Sequence, residues 1–215
     1  MIKHYLAAIF SLVLCVQTQA ATLTIGVKDG NGKVVTDAVV YAQPLNSMPV
    51  TGTGEVRIEQ KDKEFHPFIN VIPAGTAALF PNRDGIGHHV YSFSPAKTFQ
   101  LPLSEQETTD SVLFDTPGVV TVGCNIHDWM AAYIYVVNTP FYGVSGDDGI
   151  AIIREVPPGN YTLHVWHPGI KTGTDLEQQL TLDGNDAGQL DFTIDIKPEY
   201  FWKPARPADN DEVQY

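Results

Sequence analysis

Cys124, His127 and Met130 follow one another as Cys-x2-His-x2-Met inside Gly118-Val-Val-Thr-Val-Gly-Cys-Asn-Ile-His-Asp-Trp-Met-Ala-Ala-Tyr. That spacing can do metal chemistry. Alternation along an extended chain puts Val120, Val122 and Cys124 on one face, so the thiol stands at the inward end of a strand. The chain then turns through residues 125–129 before Met130 and re-enters a strand at Tyr133, which lets a thiolate, an imidazole and a thioether converge on one point. A second imidazole would complete two His, one Cys and a weak axial Met, the ligand set that selects copper and makes it an electron-transfer centre. The sequence supplies it at His88, within Asn82-Arg-Asp-Gly-Ile-Gly-His-His-Val90. His89 follows directly, and successive residues of a strand point to opposite faces, so only one of the two is expected to reach the ion. Zinc competes for such a set but makes little use of a thioether, and copper has the higher intrinsic affinity. A buried cysteine is also a small hydrophobe, so a fold that has lost its metal is the bland alternative.

Other residues carry weaker signals. His66, in Phe-His-Pro-Phe, reads as a surface histidine at a strand start rather than a second-site ligand. His164 and His167 are three apart in a strand and so face opposite ways, which favours packing around Trp166 over joint ligation. Asp128 and Trp129 lie between ligand candidates and offer either a docking surface or a plug for the loop. Asp147-Asp-Gly149 lacks the rest of a calcium loop and reads as a hairpin turn. No nucleophile elbow, phosphate-binding glycine loop or second His-rich motif is present, so an enzyme is not expected.

The elements that position these residues read as β throughout. Apolar segments are short, rich in Val, Ile, Thr, Tyr and Phe, and bounded by Gly, Pro, Asn or Asp: 22–27, 34–42, 55–58, 68–72, 76–80, 89–93, 111–115, 119–123, 133–137, 150–154, 161–166, 177–182 and 190–196. So many strands exceed one small sandwich and predict two β-domains. No segment shows the apolar period of a normal helix.

Residues 1–20 carry an early lysine, an apolar run and a small-residue ending, the pattern of a secretory signal peptide. The run is shorter than the roughly 20 residues a membrane span needs, and no other segment approaches that length. Removal of residues 1–20 leaves 215 − 20 = 195 residues, and 12 Lys+Arg against 25 Asp+Glu give a charge of −13, against −12 for the whole chain. Cys15 is removed with them, so Cys124 becomes a lone thiol in an oxidising compartment, for which metal coordination is one reason. No basic stripe exists to neutralise phosphates, which argues against nucleic acid as partner.

The run His88-His-Val-Tyr-Ser-Phe-Ser-Pro-Ala-Lys97, together with Gly123-Cys-Asn-Ile-His-Asp-Trp-Met130, resembles the cupredoxins, the plastocyanin, pseudoazurin and amicyanin group of type 1 copper proteins, with the short amicyanin-like Cys-x2-His-x2-Met loop. It is similar in particular to bacterial cupredoxin-like proteins often labelled methylamine utilization proteins. Carried over by position, the resemblance implies His88, Cys124 and His127 as equatorial ligands and Met130 as axial ligand of one copper ion cycling between Cu(I) and Cu(II). One departure stands: plastocyanin-like proteins usually have Asn after the first ligand and this chain has His89, which bears on hydrogen bonding around the sulfur, and so on colour and potential.

A second resemblance flanks the first. Val27-Lys-Asp-Gly-Asn-Gly-Lys-Val-Val-Thr-Asp-Ala-Val-Val40 is similar to the opening of a carboxypeptidase-regulatory-like, transthyretin-like β-sandwich, and Val156-Pro-Pro-Gly-Asn-Tyr-Thr-Leu163 to its ending. The expected fold is all-β, a cupredoxin-like Greek-key β-sandwich inserted in or beside that transthyretin-like sandwich. The expected division is signal peptide 1–20, first sandwich strands 21–54, copper domain 55–139, remaining sandwich strands 140–196 and a C-terminal tail 197–215. Together these imply a periplasmic electron-transfer protein whose partner is a cytochrome, copper oxidase or dehydrogenase. A periplasmic copper carrier or chaperone and a non-redox structural or ligand-binding sandwich are the alternatives.

Overall fold

The computed structural model describes residues 20–46, 50–102, 111–183, 188–199 and 202–206. The expected signal peptide and the end of the tail lie outside these residues, apart from Ala20. Chain order begins with β1 (Ala21–Asp29) and β2 (Val39–Pro44). The central segment follows with β3 (Glu55–Arg57), β4 (Glu59–Lys61), β5 (Glu64–His66), β6 (Ile69–Pro73), β7 (Thr76–Leu79), β8 (Val90–Ser94), β9 (Lys97–Gln100), β10 (Ser111–Phe114), β11 (Gly118–Cys124) and β12 (Ala131–Val137). The chain closes with β13 (Tyr142–Val144), β14 (Ile150–Val156), β15 (Gly159–Trp166), β16 (Leu176–Leu182) and β17 (Gln189–Ile194). The protein is all-β, as its alternating short segments predict.

Pairing divides these strands in two. One pair of sheets has the orders β14-β1-β17 and β13-β2-β15-β16, built from strands before and after the central segment; the other has the orders β10-β7-β3 and β6-β12-β11-β8-β9, built within it. The β4–β5 hairpin stands apart as a two-stranded unit. Three apolar layers hold the four sheets together. Leu23, Ile25, Val40, Leu163 and Ile153 fill the first sandwich, and Phe80, Phe114, Val120, Val122 and Ile134 fill the second. Between the sandwiches lies a third layer with Val39, Ile69, Tyr135, Val137 and Trp166.

The two inner sheets are therefore covered on both faces. In Ala131–Val137, Ala132, Ile134 and Val136 enter the second sandwich while Tyr133, Tyr135 and Val137 face the first, which is why this strand reads as a continuous apolar run. Two tyrosines of the interlayer share one carboxylate. Tyr41 and Tyr135 each donate a hydrogen bond to Asp175 Oδ2 at 2.7 Å, and Tyr135 and Tyr133 pack edge-on against Trp166.

Several strands depart from expectation. The stretch 34–42 is not one strand: Val34 makes an isolated bridge, Asp37 turns at φ 60°, and β2 starts at Val39. β4, β5, β9 and β13 form from sequence too polar or too short to read as strands, their backbone pairing being supplied by neighbours. The turn at residues 146–149 is closed by Gly149 N–H donating to Gly146 O at 2.8 Å, but it carries the chain from one sheet to the facing one, so it is not a hairpin within a sheet. Among the described residues no helix is long and apolar enough to cross a membrane.

Candidate metal centre

Cys124 ends β11 and is paired across the ladder with Val90, the first residue of β8. This register places His88, two residues before β8, at the same end of the sandwich as the thiol. Asn125 N–H donates to His89 O at 3.1 Å, extending the pairing past the strand ends. The loop after Cys124 closes on itself: Met130 N–H donates to His127 O at 3.0 Å and Cys124 N–H to Met130 O at 3.1 Å. Its tightness returns the chain to β12 with His127 and Met130 both beside the thiol's strand.

Within that frame three donor atoms meet. Cys124 Sγ lies 3.8 Å from His88 Nδ1 and 3.7 Å from His127 Nδ1, and the three donor atoms all lie within 4.8 Å of one another. The two imidazole rings sit 5.0 Å apart between centroids and tilted by 58°. His88 and Cys124 are buried and His127 is half-buried. Met130 is 1% exposed and shares the apolar layer of Cys124. Among the described residues this is the one such cluster of His, Cys, Asp or Glu donors.

The two sulfur–nitrogen separations fit a bound ion. With metal–nitrogen bonds of about 2.0–2.1 Å and a metal–sulfur bond of about 2.3 Å, a trigonal arrangement sets nitrogen and sulfur roughly 3.8 Å apart, and a tetrahedral one about 3.6 Å. Two imidazoles and a thiol, with no carboxylate among the three, suit a soft late transition metal.

Electrostatics favour a metal-ready thiol. Burial opposes ionisation of Cys124, but its hydrogen bond with His88 and those from the backbone amides of Ile126, His89 and His127 outweigh it and hold the thiol below its usual range. Burial likewise works against a charged His88, yet Cys124 and Asp84 beside it raise its proton affinity overall. Asp84 is held below the ordinary carboxylate range: desolvation is exceeded by hydrogen bonds from Lys63 N–H, His88 and Asp62 N–H.

The remaining histidines stand elsewhere. His89 turns to the outer sheet face beside Tyr91, with ring centroids 6.4 Å apart. His66 is exposed near Glu64, at the end of β5 rather than at a strand start. His164 stacks on Tyr41 at 4.4 Å in the interlayer, and His167 is buried edge-on against Trp202. Trp129 leans on His127, with centroids 5.3 Å apart, and lines a small cavity of about 170 Å³ with Phe65, Phe68 and Lys203. Asp84 is the residue that sequence reasoning passed over. An Asp before Gly in a loop reads as a turn former, and nothing in its spacing marks it as a partner of His88.

No family model matches the chain, and no curated protein matches it in sequence. Solved structures do. A copper-containing nitrite reductase from Thermus scotoductus SA-01 aligns at 22% identity and a TM-score of 0.37, over 45% of this chain and 26% of that one. A copper(I) form of an amicyanin variant aligns at 16% identity and a TM-score of 0.37, and a reduced amicyanin variant at 17% and 0.36; each covers 45% of this chain and 99% of its own. This chain therefore spans about a quarter of the reductase, and the similarity to all three is confined to less than half of the protein.

Proposed function

We propose that the protein is an exported, periplasmic carrier of single electrons that uses one type 1 copper ion held by His88, Cys124, His127 and, axially, Met130. The observation that carries this reading is the convergence of two imidazole Nδ1 atoms and one thiol within 4.8 Å of one another. Bound copper would supply a one-electron Cu(I)/Cu(II) couple. The chain supplies the rest. Burial of His88 and Cys124 excludes water, and the backbone bonds that close loop 125–129 keep the donors in place, so little has to rearrange when charge changes. Half-buried His127 is the donor nearest solvent, where an electron would enter or leave.

On this reading residues 55–139 form a cupredoxin-like copper domain carried by a transthyretin-like sandwich split into 21–54 and 140–196. The partner is a redox protein such as a cytochrome or a copper enzyme, and the protein is not itself an enzyme. Purified protein loaded with Cu(II) is expected to bind one equivalent and show intense visible absorption from a copper–thiolate bond, lost in Cys124→Ser. Colourless protein that binds only exchangeable Cu(I) would replace the electron carrier with a copper carrier; protein that binds no copper would leave a structural sandwich.

A further inference from the structure

The loop before β8 holds a side chain to which the copper reading gives no role. Asp84 is 13% exposed at its side chain and its Oδ2 lies 2.8 Å from His88 Nε2, the ring nitrogen turned away from Cys124. The carboxylate also accepts the backbone amides of Asp62 at 2.6 Å through Oδ1 and Lys63 at 2.9 Å through Oδ2. Those two residues form the turn of the β4–β5 hairpin and both have positive φ, 56° and 58°. Non-glycine residues adopt that conformation at a cost, and here it aims two N–H groups at one carboxylate. Asp84's own amide is held by Asn82 Oδ1 at 2.9 Å, and Asn82 Nδ2 donates to Ile86 O at 2.8 Å, so the loop bearing the carboxylate is itself tied down.

An ionised carboxylate only accepts, so His88 must donate from Nε2, and in the neutral ring Nδ1 is then the lone-pair nitrogen. That is the nitrogen facing Cys124 Sγ. We infer that Asp84 is the positioning residue of the centre: it fixes the ring orientation and tautomer of His88 through Nε2, and its negative charge favours the more positive oxidation state of an ion held at Nδ1. The inference rests on the copper reading for its second half only. A carboxylate–imidazole–metal arrangement raises ligand basicity, and loss of such a partner commonly costs 10- to 100-fold in metal affinity. The hairpin thereby joins the centre without contributing a ligand.

Asp84→Asn keeps shape and one accepting oxygen while removing charge; Asp84→Ala removes both. In copper-loaded protein Asp84→Asn is expected to shift the Cu(II)/Cu(I) balance at least tenfold toward Cu(I), a rise of about 59 mV for a one-electron couple. A change under twofold overturns the electrostatic role. In metal-free protein the His88 Nε2–H is expected to give a downfield, slowly exchanging proton resonance that Asp84→Ala abolishes, with Asp84→Asn retaining it. Absence of that resonance from the wild-type protein overturns the positioning role. Should the wild-type protein take up no copper, the functional reading fails, and the metal-free resonance still decides whether Asp84 orients His88.

Discussion

At the scale of single residues the centre separates two adjacent histidines by the direction of one side chain each. His88 points into the second sandwich and His89 out to Tyr91. His88→Ala is expected to abolish stoichiometric copper binding and His89→Ala to leave one equivalent bound, as read by metal analysis after desalting. Gly123, just before the thiol, belongs to the same local design. A Cβ there would come within 3.2 Å of the Tyr91 ring, tight contact that the ring must yield to. Gly123→Val is expected to destabilise the fold by about 1–3 kcal/mol in urea unfolding, through overpacking of the ring against its own sheet.

Elements set the constraint at the next scale. β12 is buried on both faces, so it cannot lose volume on either side without leaving a void between two sheets. Ile134→Ala is expected to cost about 2–5 kcal/mol, measured as a lowered urea midpoint with unchanged slope. The interlayer answers to the same rule. Trp166 packs edge-on to Tyr133 and Tyr135 and is 6% exposed, so Trp166→Ala should cost about 3–5 kcal/mol. Because Trp166 bridges the two sandwiches, its loss should also separate their unfolding into two transitions, seen by comparing copper absorption with far-ultraviolet dichroism.

For the whole molecule, charge and buried titratable groups decide how conditions act. His167 is 1% exposed, its Nδ1 accepts the Gly169 amide at 3.0 Å, and burial pulls its pKa from 6.5 down to about 4. An unfolded chain binds that proton more readily than the native one, so stability rises with pH across the interval. The contribution is intact above pH 6.5 and is lost progressively as pH falls toward 4, by about 3 kcal/mol in total. His167→Asn should flatten the slope between those pH values in urea midpoints. The net negative charge of the chain favours a partner with a basic face, and association measured against ionic strength should weaken as salt screens it.

What the sequence by itself determined is what depends on local order along the chain. Alternating short apolar segments dictate an all-β protein, and Cys124, His127 and Met130 are close in sequence, so their turn brings them near whatever else the fold does. What only the tertiary structure decided is what depends on contacts between distant segments. Polar stretches such as Glu59–Lys61 become strands because a neighbour supplies the hydrogen bonds, and Tyr135 is covered because a second sheet lies over it. Asp84 gains its role from a hairpin turn and a ring that meet it only in space. Periodicity records which face of a strand is apolar, whereas pairing and the burial of lone carboxylates are set by long-range packing, which leaves no regular mark on the sequence.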